Sequence, residues 1–317
     1  MKTLILGGKD LEKILTMDMA IAAVERAFAA HGRGEAVMPP KLYLPLEKFG
    51  GDFRAMPALL GDVAGVKWVN MHPENPKRFH LPAVMGVYLL SDPETAFPLA
   101  VMDGTRLTAF RTGAAAAVAS RHLAVKQPAT IGFIGCGTQA RSILAAHRAL
   151  YSGFRAIMAD ADPGAAETFA RESGGFTASL DQAGSCDIIC TSTPSRSPVL
   201  FRSYVGISTH INAMGADAPG KQELDPRLLH DATVVLDDLA QATESGEVNV
   251  PLHAGTYRRE QIFGTLGEIV AGRKPGRVGT EITIFDSTGL AIQDLALAQV
   301  VFDEARRRGL GIEIDLV

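Results

Sequence analysis

The feature that most restricts the fold of this chain is a glycine motif between a predicted strand and a predicted helix. The apolar stretch 129–135 (ATIGFIG) runs into the sequence GCGTQA at 135–140, and a helical pattern follows over 138–150. In this strand–turn–helix pattern, Gly135 permits the tight turn, Gly137 lets the backbone approach a pyrophosphate, and Ala140 lets the helix pack close to the strand. The motif therefore predicts a Rossmann unit that begins near residue 129.

The residues around the motif point to NAD as its ligand. Thr138 and Gln139 open the helix, whose free backbone N–H groups and positive dipole end favour phosphate. Asp160 ends the next predicted strand, 20 residues after Ala140, where a carboxylate can bind the ribose 2′-hydroxyl. An acid at this position repels a 2′-phosphate, so the pattern favours NAD over NADP. The alternative is a simple glycine turn with Asp160 capping a helix.

The rest of the sequence predicts an α/β protein with two parts. After Lys126-Gln127-Pro128, which has the composition of a hinge, short apolar strands alternate with helices, as in a parallel sheet covered on both faces. Before it, helices are predicted over 17–31 and 105–123, and short β runs between 41 and 102 predict an antiparallel or mixed sheet. A final helix is predicted over 290–308. The predicted fold is a Rossmann NAD-binding domain plus a mixed α/β domain.

Composition excludes several classes of function. The net charge of -4 gives no electrostatic reason to bind nucleic acid or an anionic membrane. No segment approaches the roughly 18 apolar residues of a membrane span, and the apolar run near the start is too short for a signal peptide, which predicts a cytoplasmic protein. The three scattered cysteines predict no disulfide framework, and the eight histidines lack the spacing of a metal site.

Two further predicted strand ends carry polar residues. Ligands of open α/β sheets bind beyond the carboxyl ends of the strands. Thr191, Ser192 and Thr193 end one strand and are interpreted as cofactor contacts. Asp217 follows another, in a loop that glycine and proline keep from becoming helical. It is either a site residue or a capping aspartate.

Several longer motifs resemble the ornithine cyclodeaminase/μ-crystallin family, and within it the archaeal alanine dehydrogenases. They are KWVN at 67–70, FPLAVMDGTRLTAFRTGAAAAVA at 97–119, IGCGTQA at 134–140, INAMGADAPGKQEL at 211–224 and ITIFDSTGLAIQD at 282–294. The resemblance implies a substrate and dimerisation domain made from 1–125 and 292–317, with a Rossmann domain at 126–291 inserted into it. It also implies a homodimer.

The resemblance assigns roles to individual residues. It implies that Lys67 and Arg111 serve the substrate site, that Thr112 lies at the cofactor, and that Asp217 acts as general acid and base. From the residues alone, Lys67 either keeps its ammonium at a sheet edge or is held for chemistry. Arg111 either grips a carboxylate or forms a surface salt bridge.

Two more cations match positions that face substrate in the family, Lys41 and Arg54. Their alternatives are a solvated loop lysine and a charge on a strand face. The ornithine cyclodeaminases that the chain resembles carry glutamate at the position of Arg54, where it can hold the distal ammonium of ornithine. Arginine would repel that ammonium, so Arg54 favours a substrate with a carboxylate and no distal cation, such as pyruvate.

The leading hypothesis is an NAD-dependent alanine dehydrogenase, which converts L-alanine, NAD and water to pyruvate, ammonium and NADH. A cyclic imine reductase of the pyrroline-2-carboxylate type needs the same groups and is the first alternative. Ornithine cyclodeaminase follows. A non-catalytic NAD(P)H-binding protein of the μ-crystallin kind is the alternative from a different class.

Overall fold

The computed structural model describes all 317 residues, which form two compact units. The first unit contains Met1–Arg111 and Leu290–Val317, and the second contains Thr112–Gly289. The first unit is therefore discontinuous in sequence, and the second is inserted into it.

The strands, in chain order, are β1 Thr3–Leu6, β2 Ala36–Val37, β3 Leu42–Leu46, β4 Gly51–Leu60, β5 Val63–Met71, β6 Val84–Ser91, β7 Pro98–Asp103, β8 Thr130–Ile134, β9 Arg155–Ala159, β10 Phe176–Thr177, β11 Ile188–Thr191, β12 His210–Ala213, β13 Ala232–Leu236, β14 Gly264–Thr265, β15 Ile282–Asp286 and β16 Ile312–Ile314. The helices are α1 Gly8–Ile14, α2 Met17–Arg33, α3 Asn75–Arg78, α4 Gly104–Leu123, α5 Thr138–Leu150, α6 Pro163–Ser173, α7 Leu180–Ala183, α8 Pro226–Asp231, α9 Leu239–Ser245, α10 Asn249–His253, α11 Leu266–Val270 and α12 Ala291–Arg308.

The first unit is built on a mixed sheet. Its strand order is β16-β1-β7-β6-β5-β4-β2, with β3 paired to β4. Strands β1 and β7 are parallel and all the other neighbours are antiparallel. Helix α12 packs on β4, β5 and β6 and against α2, whose Ile21, Val24 and Phe28 are buried. The last helix of the chain therefore covers one face of a sheet whose strands, apart from β16, all lie within residues 3–103.

The second unit is built on an eight-stranded parallel sheet in the order β10-β9-β8-β11-β12-β15-β13-β14. Strands β11, β12 and β15 are buried along their whole length, as expected for strands covered on both faces. The chain order reverses at β8, between β9 and β11, and this is the position at which open α/β sheets bind their ligands. Helix α5 has the bounds 138–150 that the sequence pattern predicts, and α6 follows the next strand over 163–173.

Helix α4 belongs to both units. Its stretch Ala114–Ala119 is completely buried, and a Cβ atom on Gly113 would lie 2.4 Å from the carbonyl oxygen of Ser142 in α5. This close approach ties the small-residue half of α4 to the second unit. The division by contacts therefore lies at 111/112, inside the helix, whereas the sequence predicts it at 125/126, after the helix.

The three cysteines are free and buried. Burial raises the pKa of Cys136 and Cys190 to about 12 and that of Cys186 to about 11, so all three thiols stay protonated at neutral pH. The structure contains no group of three or more His, Cys, Asp or Glu side chains that could hold a metal ion. None of its helices has the length and apolar character needed to cross a bilayer.

Candidate active site

Lys67 lies at the centre of the candidate site in the first unit. In the sheet it is directly opposite Met56 of β4 and Tyr88 of β6, on the face that α12 covers. Its side chain is fully buried, and its Nζ donates to Asp294 Oδ2 at 2.7 Å and to Thr108 Oγ1 at 3.2 Å. The ammonium therefore does not reach solvent at a sheet edge.

The surroundings of Lys67 bring its pKa into the physiological range. Burial disfavours the charged ammonium and lowers the pKa of Lys67 from 10.5 to about 7. Asp294 opposes this shift, while the positive charges of Arg111 and Lys41 add to it. At neutral pH both protonation states of Lys67 are therefore accessible.

Arg111 shares Asp294 with Lys67. The Arg111 Nε atom lies 3.4 Å from Asp294 Oδ1, and Arg111 Nη1 donates to Gln293 Oε1 at 3.3 Å. Gln293 Oε1 also accepts from Leu290 N, which fixes the orientation of the amide. The Gln293 Nε2 donor is then buried without a hydrogen-bond partner in the protein. Thr112, the next residue of α4, is buried and belongs to the second unit.

Arg54 is buried in β4, two residues before Met56 and therefore on the Lys67 face of the sheet. It donates from Nε and Nη2 to the two carboxylate oxygens of Asp52, at 2.9 and 3.1 Å. Its guanidinium lies over the ring of Tyr43, 5.2 Å from the centroid. Lys41 is half-buried immediately before β3. The site thus gathers the four cations that the sequence singles out in this part of the chain.

In the second unit the glycine loop joins β8 to α5. Gly135 has φ 91°, and a Cβ atom there would lie 2.8 Å from Thr193 Cγ2, so only glycine fits without strain. Ser192 Oγ donates to the Gly135 carbonyl at 3.3 Å. A Cβ on Gly137 would meet nothing within 4 Å, which leaves the space above the loop open, and Ala140 is fully buried under the helix.

The loop continues into α5 and is supported by Asp160. Thr138 is exposed in the first turn of α5, followed by the partly exposed Gln139. Asp160 Oδ2 accepts from Cys136 N at 2.7 Å, and its Oδ1 accepts from Asp162 N at 2.9 Å. The N-cap of α6 is Asp162, so Asp160 is not the capping residue of that helix.

Glu223 joins the ends of β11 and β12. Its Oε2 accepts from Thr191 Oγ1 at 2.7 Å and from Gly215 N at 2.8 Å, and its Oε1 accepts from Thr193 N at 2.6 Å. Burial raises the pKa of Glu223 above its usual range, while these donors act against the shift. The Thr191 hydroxyl is therefore directed at a buried carboxylate instead of the outer surface of the loop.

Asp217 lies in the loop after β12, with its side chain partly exposed. Lys221 Nζ forms an ion pair with Asp217 Oδ1 at 2.5 Å. The next helix, α8, takes Asp225 as its N-cap, so Asp217 does not cap it. The Lys221 carbonyl in turn accepts from Asn249 Nδ2 at 3.1 Å, which fixes the end of the loop.

Several residues of both sites are not among the predicted site residues, although the motifs named above contain them. Asp294 and Gln293 end the motif at 282–294, and Lys221 and Glu223 belong to the motif at 211–224. Their roles depend on contacts between residues that are distant in sequence. A carboxylate next to an apolar helix face, for example, indicates a function only when a buried cation is known to lie opposite it.

The whole chain can be compared with known proteins. Residues 1–309 match the model of the ornithine cyclodeaminase/mu-crystallin family. The chain belongs to this family. The resemblance read from the motifs and the predicted fold class are both confirmed. Within the family, the chain is 49% identical to alanine dehydrogenase of Archaeoglobus fulgidus over 99% of this chain and 98% of that protein. It is 36% identical to iminosuccinate reductase of Paracoccus denitrificans over 99% and 100% of the two chains.

Solved structures of family members have the same fold. An archaeal alanine dehydrogenase dimer with bound NAD superimposes with a TM-score of 0.95 at 47% identity, covering 100% of both chains. The Delta(1)-pyrroline-2-carboxylate reductase of Thermococcus litoralis, in complex with NADH and L-proline, gives a TM-score of 0.94 at 36% identity, covering 98% of this chain and 100% of that one.

Proposed function

We propose that this member of the family is an NAD-dependent oxidoreductase that interconverts L-alanine and pyruvate. The observation that carries the proposal is the buried cluster of cations around Lys67. The three buried cations Arg54, Lys67 and Arg111 are paired with only two carboxylates, Asp52 and Asp294. A cluster with excess positive charge suits a substrate that carries one carboxylate and no distal ammonium. The 49% identity to an alanine dehydrogenase supports the same substrate pair.

The second unit has the features that NAD requires. The open space above Gly137 and the exposed first turn of α5 fit a pyrophosphate. The carboxylate of Asp160 fits a ribose 2′-hydroxyl. Bound NAD supplies the acceptor for the hydride that leaves the Cα atom of alanine. Asp160 places a negative charge where NADP would need to fit a phosphate, so the proposal is for NAD.

The residues of the first unit would bind and orient the substrate. Arg111 and Arg54 hold its carboxylate, and Lys67 in its charged form polarises the carbonyl or imine. The unpaired Nε2 of Gln293 is a further donor beside Arg111. The substrate carboxylate would add a third anion to Asp52 and Asp294. Its attraction to the buried cations would therefore favour binding, in addition to the hydrogen bonds.

Asp217 would move the protons. As a carboxylate it would accept a proton from the water that adds to the imine carbon and return it to the amine nitrogen. When the C–N bond breaks, it would take the proton of the carbinol hydroxyl and pass it to the departing ammonia, which leaves as ammonium. Lys221, in its ion pair with Asp217, favours the ionised carboxylate that this first step needs.

A cyclic imine reductase is the second candidate. Pyrroline-2-carboxylate carries one carboxylate and no second charge near it, so it satisfies the same cations. Relatives named Delta(1)-pyrroline-2-carboxylate reductase are 30% and 31% identical to this chain. Ornithine cyclodeamination is disfavoured because Arg54 stands where the distal ammonium would need a carboxylate.

The test is NADH oxidation by the purified protein, followed at 340 nm, with pyruvate plus ammonium in one assay and pyrroline-2-carboxylate in another. Activity only with pyruvate and ammonium supports the alanine dehydrogenase. Activity only with the cyclic imine establishes the second candidate instead. NADH binding without turnover in either assay would reject both and return a binding protein or a cyclodeaminase to first place.

We also propose that the protein is a homodimer, formed through the uncovered face of the first sheet. On the side opposite α12, Leu42, Leu44, Trp68 and Val87 are exposed, and Phe53 stacks on Trp68 with centroids 4.9 Å apart. An apolar patch on a sheet face is a common interface between copies of a chain. A solved relative is described as a dimer, which favours a second copy as the occupant.

A further inference from the structure

We propose that Asp294 is a positioning residue of this site, whose single carboxylate holds Lys67 and Arg111 in place and keeps Lys67 charged so that it can polarise the carbonyl or imine of the substrate. The inference rests on the proposed function and adds to it a residue that none of the assignments above includes.

The contacts of Asp294 divide its two oxygens between two cations. Oδ2 accepts from Lys67 Nζ at 2.7 Å, and Oδ1 lies 3.4 Å from Arg111 Nε. Both cations and the carboxylate are buried, so none of the three can exchange its partner for bulk water. A buried charge that loses its partner is costly, and each cation is therefore held firmly in this position.

The position of Asp294 is fixed by its helix. It lies in the first turn of α12, which packs on β4, β5 and β6, so its carboxylate faces the Lys67 side of the sheet. The positive end of a helix dipole stabilises an ionised acid in the first turn. Its neighbour Gln293 contacts Arg111 through Oε1, so the same helix turn fixes Arg111 twice.

Asp294 also balances the charges that face Lys67. Helix α4 contributes Arg111, the segment before β3 contributes Lys41, and β6 contributes the phenol of Tyr88. On β4, the charge of Arg54 is paired with Asp52. Among the charged groups that influence Lys67, Asp294 is the one that favours the ammonium. Its loss leaves the burial of the amine and the charges of Arg111 and Lys41, which all favour the neutral form.

The first experiment measures the titration of Lys67 in the full chain, by NMR of lysine labelled with 13C at Cε, with the Lys67 signal identified by its absence in Lys67→Arg. We expect a midpoint near 7 in the wild type and a midpoint at least one pH unit lower in Asp294→Asn. Asp303→Asn is the matched control, because it makes the same change on the exposed side of the same helix. An unchanged midpoint in Asp294→Asn would overturn the inference.

The second experiment measures binding of oxamate, an unreactive analogue of pyruvate, to the enzyme–NADH complex at pH 6.5 and 8.5. Asp294→Glu keeps the charge but moves it by one methylene, so we expect the Lys67 midpoint to stay within half a unit of wild type while oxamate binds at least tenfold more weakly at both pH values. Wild-type affinity in this variant would show that position does not matter, and would overturn the positioning role. Asp294→Glu also keeps the inference testable if Asp294→Asn does not fold.

The two experiments separate the inference from the proposed function. If the wild type does not bind oxamate but the Lys67 midpoint falls in Asp294→Asn, the substrate proposal fails and the electrostatic role of Asp294 stands. If oxamate binds and the midpoint does not move, the substrate proposal stands and the role of Asp294 fails.

Discussion

Arg54 is the residue whose surroundings bear most directly on the choice of substrate. Its charge alone would repel a distal ammonium, but the structure adds a bidentate ion pair with Asp52 and a stacking contact with Tyr43. These partners hold the guanidinium in one orientation and leave it less able to follow a ligand. If the proposed function is correct, Arg54 would present its positive charge in a fixed position and would select substrates by shape as well as by charge.

Asp217 is expected to matter for chemistry more than for cofactor binding. Asp217→Asn removes the group that accepts and returns protons, and general acid–base catalysis typically contributes about 100- to 10,000-fold in rate. We expect kcat for pyruvate amination to fall by at least about 100-fold, while the Kd for NADH, from fluorescence titration, changes less than about threefold. Equal losses in both quantities would contradict the assigned role.

Asp160 is expected to set the preference between the two dinucleotides. Asp160→Ser removes the negative charge that would repel a 2′-phosphate and replaces the charged acceptor for the ribose hydroxyl with a shorter, neutral one. We expect kcat/KM for NAD to fall by about 10- to 100-fold and the preference for NAD over NADP to narrow by a similar factor, since a hydrogen bond to a charged group contributes about 1.5–3 kcal/mol.

Because Asp160 also accepts from Cys136 N, part of its effect on NAD comes through the loop itself. Asp162→Ser, next to it on the same strand end, is the matched control: it alters the cap of α6 and leaves Asp160 in place. A preference for NAD that persists unchanged in Asp160→Ser would show that other residues select the cofactor.

At the scale of elements, a buried polar network connects helices to the parallel sheet of the second unit. Ser120 of α4 contacts His147 Nε2 of α5 at 2.9 Å and accepts from Asn212 Nδ2 of β12 at 2.9 Å. His210 of β12 contacts Asn212 and Thr283 of β15. Burial lowers the pKa of His147 to about 4 and that of His210 to about 3, so both rings are neutral in the folded protein.

The network predicts a specific loss of stability in acid. The pKa of His147 is depressed in the folded state, so its contribution is fully present above the unfolded pKa of about 6.5 and is lost as the pH falls toward about 4. In urea unfolding, the stability difference between wild type and His147→Gln should shrink by up to about 1.4 kcal/mol per pH unit between pH 6 and 4.5. A stability difference that stays constant over this pH range would refute the prediction.

The elements were largely predictable from sequence, for a reason visible in α5 and α6. Their apolar faces repeat with the helical period, and glycine or an aspartate–proline pair marks their starts. The paired residues of the sites were less predictable. Glu223 binds the ends of two strands that it does not adjoin in sequence. The apolar periodicity of a helix or strand does not indicate which carboxylate will accept hydrogen bonds from a distant strand end.

At the scale of the whole molecule, the proposed dimer leads to a prediction about one sheet face. Val87 and Trp68 lie opposite each other on neighbouring strands and are 50% and 43% exposed. Val87→Lys places a charge in the centre of this patch, where its desolvation would oppose association. Light scattering after gel filtration at about 10 μM should give a dimer for the wild type and a monomer for Val87→Lys.

Ile207→Lys is the matched control, since Ile207 is 81% exposed but belongs to the second unit. It should remain a dimer. A dimeric Val87→Lys, or a monomeric wild type, would show that this sheet face does not form the interface.

The nested order of the two units also affects how the chain is made. Lys67 and its counter-ion Asp294 are 227 residues apart in sequence, and the entire second unit is synthesised between them. At a ribosomal rate of about 5–20 residues per second, roughly 10–45 s pass between the synthesis of Lys67 and that of Asp294. During that interval the contiguous second unit can fold by itself, but the first unit lacks the helix that covers its sheet and the anion that neutralises its centre. The cation cluster therefore forms only after α12 has been synthesised, near the end of translation. Until then, the apolar sheet face that α12 will cover is exposed to solvent and to other chains.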